Sequence, residues 1–417
     1  MRQTVLTIIT EIDSGKRTQL ERILAVVRSD LYNNAYIPFG ALSLLHFASF
    51  VIADREGKPA LLIFENNFDG DIYSYLDELL SVGGHGVHQI YQCCLAYQPA
   101  VYEAQKLKDF LGANVVMPNA YFVGNVGRSA KNVGDNSKLR DTLQSYLDQL
   151  FTKAKPTDFS AVQLRKKMQG FVKADVDPAL SSQLPPHQTL SEKVMSWVWL
   201  VITGLLVLIL AVGLFPVTLI LLAILRRKEK TDKPQTQPAS LALVNELMST
   251  ENQIAQNHLA SITAIKPGKF RLNTLKSMLF IVNLAARVSN KGTLSGIPSI
   301  HFAHWSVIND KQLLFLSNFD GSWTSYLDDF IDKASLGLTG IWTNTAGFPE
   351  TRFLVLDGAR DEPRFKAFAR SMQVPSLVWY SAYPALTMQN IDKDSAIRED
   401  ILTDISETDT KNWLKLF

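Results

Sequence analysis

Asn67-Phe68-Asp69-Gly70, followed by Ser74-Tyr75-Leu76-Asp77, is written a second time in this chain as Asn318-Phe319-Asp320-Gly321, followed by Ser325-Tyr326-Leu327-Asp328. Eight of the twelve residues from Asn67 to Glu78 recur at fixed spacing, which chance does not produce. The match spreads outward in both directions. His46-Phe47-Ala48 returns as His301-Phe302-Ala303, Ile9-Thr10 as Ile262-Thr263 and Gly15-Lys16 as Gly268-Lys269. Downstream, Pro118 pairs with Pro375, Asn132 with Asn390, and Ser137, Leu139 and Arg140 with Ser395, Ile397 and Arg398. Two domain-sized copies with no further period make a pseudo-dimer and not a solenoid.

Within each copy the apolar pattern alternates between the two-residue period of a strand and the longer period of a helix. Val5 to Ile12 reads as a strand, Lys16 to about Asp30 as a helix, Leu42 to Ile52 and Leu61 to Glu65 as strands, and Asp71 to Leu80 as a helix. Ile72, Leu76, Leu79 and Leu80 share one face of the last helix, and Trp323, Leu327, Phe330 and Ile331 stand at the same offsets in the second copy. A further strand, Tyr121 to Gly124 matched by Val378 to Ser381, is expected to close each sheet.

That order is the ferredoxin-like split pattern. The expected fold is α+β: two tandem ferredoxin-like lobes, residues 1–150 and 250–417, forming a pseudo-dimer with an intervening membrane segment. Two such lobes resemble the dimeric α+β barrel superfamily. The resemblance implies two sheets facing one another across a cavity, where members such as the dye-decolorising peroxidases and chlorite dismutases bind haem. The chain departs from the peroxidases' Gly-x-x-Asp-Gly, with Asn66 and Ser317 where that motif has its first glycine.

Between the lobes, Trp197 to Leu225 holds no charged residue in 29 positions, and Arg226-Arg227-Lys228 follow at once. This is the pattern of a membrane segment, placed at residues 194–226. A straight helix of that run would measure roughly 43 Å, too long for one comfortable span and too short for two. A re-entrant hairpin turning at Gly213-Leu214-Phe215-Pro216 would keep both lobes cytoplasmic, whereas a single tilted span would separate them. Either makes the lipid bilayer a partner. Residues 151–193 contain Pro156, Pro178, Pro185 and Pro186 and read as a linker. Within it, Leu164, Met168, Phe171 and Val172 beside Arg165, Lys166, Lys167 and Lys173 suggest a basic amphipathic helix. Residues 227–249 read as a charged tether.

Among 417 residues, 47% are apolar and 20% charged, enough to build two cores. A net charge of +2 argues against nucleic acid as a partner. Cys93 and Cys94 are the only cysteines, which excludes a disulfide framework.

Several residues could carry chemistry. His46 and His301 lie in apolar strands; alternation places each with an alanine and an aromatic residue (Ala48 and Phe50, Ala303 and Trp305), as core groups or as cofactor ligands lining an interlobe cavity. Asp69 and Asp320 can cap the helix that follows each Asn-Phe-Asp-Gly, or, with Asn67 and Asn318, bind a ligand. Arg140 and Arg398 suit a carboxylate or phosphate, or pair with Asp141 and Glu399. No metal is expected. His301 and His304 would point to opposite faces of a strand, and His85, His88, Cys93 and Cys94 lack zinc spacing and face Ser335, Thr339, Asn344 and Thr345 in the second copy.

No Gly-x-Ser-x-Gly, phosphate loop or dinucleotide fingerprint is present, so the catalytic residues are unassigned. The functional expectation is a membrane-anchored two-lobe protein holding an apolar ligand, lipid or cofactor between its repeats, with haem a candidate and redox or lipid chemistry implied. A membrane-tethered scaffold or interaction protein is the alternative.

Overall fold

The computed structural model describes residues 2–182, 190–213, 215–232, 238–288 and 293–417. The first lobe runs β1 (Gln3–Glu11), α1 (Arg17–Ser29), β2 (Leu45–Arg55), β3 (Lys58–Asp69), α2 (Ile72–Tyr91), α3 (Ala104–Ala113), β4 (Val115–Val116), β5 (Ala120–Val123) and α4 (Ala130–Phe151). Helices α5 (Ala161–Asp175), α6 (Pro178–Ser181), α7 (Leu190–Gly213), α8 (Phe215–Thr231) and α9 (Leu241–Thr250) connect the lobes. The second lobe runs β6 (Gln256–Ala264), α10 (Lys269–Val288), β7 (Ile300–Ile308), β8 (Gln312–Asp320), α11 (Trp323–Trp342), β9 (Thr351–Arg352), β10 (Leu356–Asp357), α12 (Glu362–Ser371), β11 (Gln373–Val374), β12 (Ser376–Ser381), α13 (Met388–Asp400) and α14 (Glu407–Trp413).

The molecule is mixed α+β with two five-stranded antiparallel sheets, ordered β12-β2-β3-β1-β4 and β11-β6-β8-β7-β5. Each sheet therefore ends in a strand from the other lobe. The strand Tyr121 to Gly124 does not close its own sheet. β5 pairs with β7 of the second lobe, Tyr121 opposite His304, and β12 pairs with β2 of the first, Trp379 opposite Ser49. The short strands β4 and β11 take the place expected of β5 and β12, beside β1 and β6. A bulge between Ser376 and Val378 adds one residue to β12. Tyr121 is consequently matched by Trp379, one position beyond the match read from sequence.

The inner faces of the sheets meet. Val51, Ala53, Leu61 and Ile63 of the first sheet pack on Ala260, Ile308, Leu314 and Leu316 of the second. Phe47, Phe302, Tyr383 and Met388 fill the adjoining layer. The outer faces carry the two helical cores, one around Phe50, Phe64 and Tyr91, the other around Trp305, Phe315 and Trp342. A third helical layer joins the lobes through α4, α5, α13 and α14, where Met168 and Val172 of α5 pack with Leu143, Ile397 and Trp413. The apolar face of the basic helix in the linker is thus covered by protein. Arg165 turns inward to cap the carbonyls of Asp400 and Thr403.

Among the described residues no helix is long and apolar enough to cross a membrane. This corrects the expected intervening membrane segment. The run from Trp197 to Leu225 is divided: α7 ends at Gly213 and α8 begins at Phe215, with Pro216, which has no amide donor for a continuous ladder, in its first turn. Leu214 of the expected hairpin, like Pro185 and Pro186 of the linker, lies outside the described residues. The charged half of α8 is no free tether. Glu229 accepts the backbone N–H groups of Phe353 (3.0 Å) and Leu354 (2.8 Å), and Asp232 pairs with Arg271 (2.5 Å) and Lys266 (2.8 Å).

Candidate functional site

The expected histidines lie between the sheets, but the strands aim them differently from simple alternation. In each copy a bulge falls beside the histidine, between Leu45 and Phe47 and between Ile300 and Phe302. A bulge re-aims the side chain next to it. His46 therefore does not line up with Ala48 and Phe50, nor His301 with Ala303 and Trp305. Instead each ring meets an aromatic ring of the other lobe: His46 lies 5.3 Å from Phe302, and His301 5.2 Å from Phe47, between centroids.

Asp69 and Asp320 are the partners of these histidines. His46 Nε2 is 3.1 Å from Asp69 Oδ1, close enough to pair but not aligned as a hydrogen bond. His301 Nε2 and Asp320 Oδ1 are 2.7 Å apart and aligned. The second oxygen of each aspartate accepts the first amide of a later helix, Ala130 of α4 at 2.8 Å and Met388 of α13 at 2.7 Å. Neither aspartate caps the helix that follows it. Asp71 does so for α2, accepting from Tyr73 and Ser74, and Ser322 for α11. The aspartate instead ties its bulged histidine to the helix leaving the exchanged strand.

Haem does not fit these histidines. His46 is wholly buried, with Nδ1 facing the Tyr383 hydroxyl at 2.9 Å and Nε2 facing Asp69. His301 is also buried and presents Nε2 to Asp320. Arg140 and Arg398 are similarly engaged. Arg140 pairs with Asp141 and reaches Asp394 at 3.4 Å, while Arg398 holds Asn136 Oδ1 and the carbonyls of Ala179 and Ser182. Glu399 pairs with Arg128. His88 faces the Tyr97 hydroxyl at 2.8 Å, and Cys94 accepts from Thr10.

A different group occupies the centre of the interface. Glu65 projects from β3 between Thr7 on β1 and Ser49 on β2, its direct cross-strand neighbours. Its Oε2 accepts from Ser49 Oγ (2.9 Å) and His258 Nε2 (2.7 Å). Its Oε1 accepts from Asn67 Nδ2 (2.9 Å) and Asn318 Nδ2 (3.3 Å). His304 Nδ1 stands 3.7 Å away, with its Nε2 3.0 Å from the Thr7 hydroxyl. Asn67 and Asn318, expected as ligand-binding candidates, are therefore brought together on a carboxylate that the repeat did not flag.

Glu65 is 1% exposed. Burial opposes its charge, but the facing His258 and His304 and the donated hydrogen bonds outweigh it, so the carboxyl lies at about 2. His304 is pushed down to about 4 by burial, against the pull of Glu65. Near neutral pH the centre holds an ionised Glu65 beside a neutral His304.

The hydrogen bonds also order His258. An ionised carboxylate only accepts, so a proton sits on His258 Nε2, and in the neutral imidazole Nδ1 is then an acceptor. Nδ1 lies 2.7 Å from Ser376 Oγ. With the imidazole neutral, Ser376, His258 and Glu65 form a chain in which the serine hydroxyl donates inward. Trp379 stacks near the imidazole, at 6.2 Å and 24° between planes, and donates Nε1–H to Asn318 Oδ1 at 2.8 Å. Ser376 and His258 border a small cleft with about 40 Å³ of room, walled by Leu247, Glu251, Gln373 and Trp379.

Sequence reasoning passed over this chain because its members are 311 residues apart at the extremes and come from three strands of two lobes. A signal existed. At the matched strand positions Glu65 faces Leu316 of the other copy, His258 faces Val5, and His304 faces Ser49. The repeat is broken at all three positions. The extra residue of the β12 bulge, next to Ser376, has no counterpart in β5. No family model, curated protein or solved structure matches the chain.

Proposed function

We propose that the chain is a hydrolase that uses Ser376 as nucleophile, His258 as general base and Glu65 to orient and charge-stabilise His258. The observation that carries this reading is the pair of 2.7 Å contacts linking Ser376, His258 and Glu65 beside a small cleft. The Ser376 oxygen adds to the carbonyl of an ester while its proton passes to His258 Nδ1. The alcohol leaves with that proton, and water then releases the acid by the same route. Glu65, held by four donors, offsets the positive charge on His258 without taking its proton.

A fluorophosphonate probe tests the assignment, because an activated serine displaces its fluoride and keeps the phosphonyl group. Labelling at Ser376, found by peptide mass and lost in Ser376→Ala and His258→Ala, is the expected outcome. An unlabelled but folded wild-type protein would refute it.

The lipid partner expected from sequence receives separate support from exposure. Trp197, Trp199, Ile209 and Ile220 of α7 and α8 are all more than half exposed, and the cationic Arg226, Arg227 and Lys228 follow in the same helix as Ile220. We propose that this arm rests on a lipid surface without crossing it, both lobes on one side. Flotation with anionic vesicles, lost in Trp197→Ser/Trp199→Ser, is the expected result. Equal flotation of both proteins would refute it.

A further inference from the structure

The wall of the Ser376 cleft is made in part by α9, and this helix is attached in an unusual way. Of its ten residues only Leu247 is buried, while Leu241 and Met248 are 81% and 63% exposed. An amphipathic helix fixed in a core would bury a stripe of several residues. With one buried anchor, α9 belongs to the weakly held part of the molecule.

What fixes α9 is concentrated at its C-terminal end. Glu251, the residue after the helix, is clasped by Arg370 through both guanidinium nitrogens, one at 3.1 Å to Oε2, and by Gln373 Nε2 at 3.3 Å. Arg370 is itself set against the Trp323 ring, 3.9 Å from its centroid. The ion pair is largely buried, with side chains 16% and 8% exposed. Gln373 is a wall of the same cleft.

The next residue is built as a pivot. Asn252 has φ +61°, a left-handed conformation that asparagine tolerates, and it follows Glu251, whose extended backbone ends the helix. Its backbone N–H donates to Asn257 Oδ1 at 2.8 Å, and Asn257 Nδ2 donates back to Asn252 Oδ1 at 3.0 Å and to the Gly321 carbonyl at 2.7 Å. Asn257 belongs to β6, next to His258. The chain is therefore pinned on the catalytic strand at Asn252 and latched one residue earlier at Glu251.

We infer that α9 is a lid over the Ser376 cleft, which turns about Asn252 when the Glu251–Arg370 latch opens. The inference rests on the serine-hydrolase reading for its purpose but not for its movement. In the closed form the room beside Ser376 holds only water-sized groups. Swinging α9 aside removes Leu247, Thr250 and Glu251 from the wall and leaves Ser376, His258 and Trp379 in place. The latch thus sets how often an ester reaches the nucleophile.

The test compares the wild-type chain with Glu251→Ala, and with Glu251→Gln as a milder variant, in two independent measurements. Amide hydrogen exchange over residues 241–250 reads the lid without chemistry. It is expected to speed up by about tenfold or more in Glu251→Ala, the factor expected for loss of one charge-assisted hydrogen bond from an opening equilibrium. The second measurement is the rate of fluorophosphonate labelling of Ser376, expected to rise in the same order, alanine above glutamine above wild type. Unchanged exchange over 241–250 in Glu251→Ala overturns the lid. Faster exchange with equal labelling rates also overturns it, because the helix would then open without uncovering Ser376. Faster exchange with no labelling in any of the three proteins sinks the nucleophile while supporting a helix hinged at Asn252.

Discussion

Asn67 and Asn318, the same residue in the two repeats, donate to the same oxygen, Glu65 Oε1, at 2.9 and 3.3 Å. One residue type repeated by duplication has been brought to a single point on the pseudo-two-fold between the lobes. The acceptor at that point is not duplicated, since β8 has Leu316 where β3 has Glu65. The duplicated scaffold supplies two donors, and the asymmetric substitutions supply the charge and the base.

Replacing Glu65 by the leucine of the other copy should expose this dependence. Glu65→Leu leaves His258, Asn67 and Asn318 without their acceptor in a dry interface and is expected to cost about 3–5 kcal/mol. Glu65→Leu/His258→Val, which restores the apolar pair of the other half, should cost less than Glu65→Leu alone. Urea unfolding of both variants checks it. A double variant less stable than the single one would contradict the coupling.

Stability should fall in acid in two stages. His304 has a folded value near 4, below its ordinary 6.5, so folding favours its neutral form; its contribution is complete above about pH 6.5 and lost as pH falls toward 4. Glu65, held near 2 against an ordinary 4.5, keeps its contribution above about pH 4.5 and loses it toward pH 2. Each shift corresponds to about 3 kcal/mol, and the two are not additive because the groups face each other. Denaturant midpoints measured from pH 7 to pH 3 should decline throughout, and His304→Asn should flatten the range from 6.5 to 4.

Much of the architecture was legible because repetition needs no propensity scale: Asn67 and Asn318 mark one strand end in both copies. The destination of Tyr121 was not legible, since hydrophobic alternation says which face a strand buries but not whose sheet it joins. The aim of His46 and His301 was hidden by bulges, which periodicity does not report. The cap of α2 was misread by two residues, Asp69 for Asp71, because two aspartates flank Gly70 and either can reach free amides. Ser376 was not singled out because the bulge beside it lies in a strand matched one residue out of register.

The exchange of β5 and β12 makes each lobe incomplete. Residues 1–182 alone would carry β5 without β7 and an open edge on β2, and residues 238–417 would carry the complementary faults. Each fragment is expected to be unfolded or self-associated on its own, and an equimolar mixture to gain far-ultraviolet circular dichroism over the sum of the two separate spectra. A first fragment that unfolds cooperatively as a monomer would show that the exchange is dispensable.

The seat of β5 can be probed by one atom. Gly124 follows β5 and donates its N–H to the His301 carbonyl at 2.9 Å, and a Cβ there would come within 2.1 Å of the Ile300 carbonyl oxygen. Backbone cannot yield as a flexible side chain can, so Gly124→Ala must push the strand off β7 or distort the bulge that aims His301. A cost of about 3 kcal/mol is expected, in the range of overpacked cores. Gly134, inside α4, supplies the control. Nothing lies within 4 Å of its added Cβ, so Gly134→Ala should stabilise by about 0.5–1 kcal/mol through helix propensity alone. The two alanines differ by one methyl group from the same residue type, so opposite signs in thermal unfolding would locate the sensitivity at the β5–β7 contact. Equal effects would mean that β5 is not seated against β7 as described.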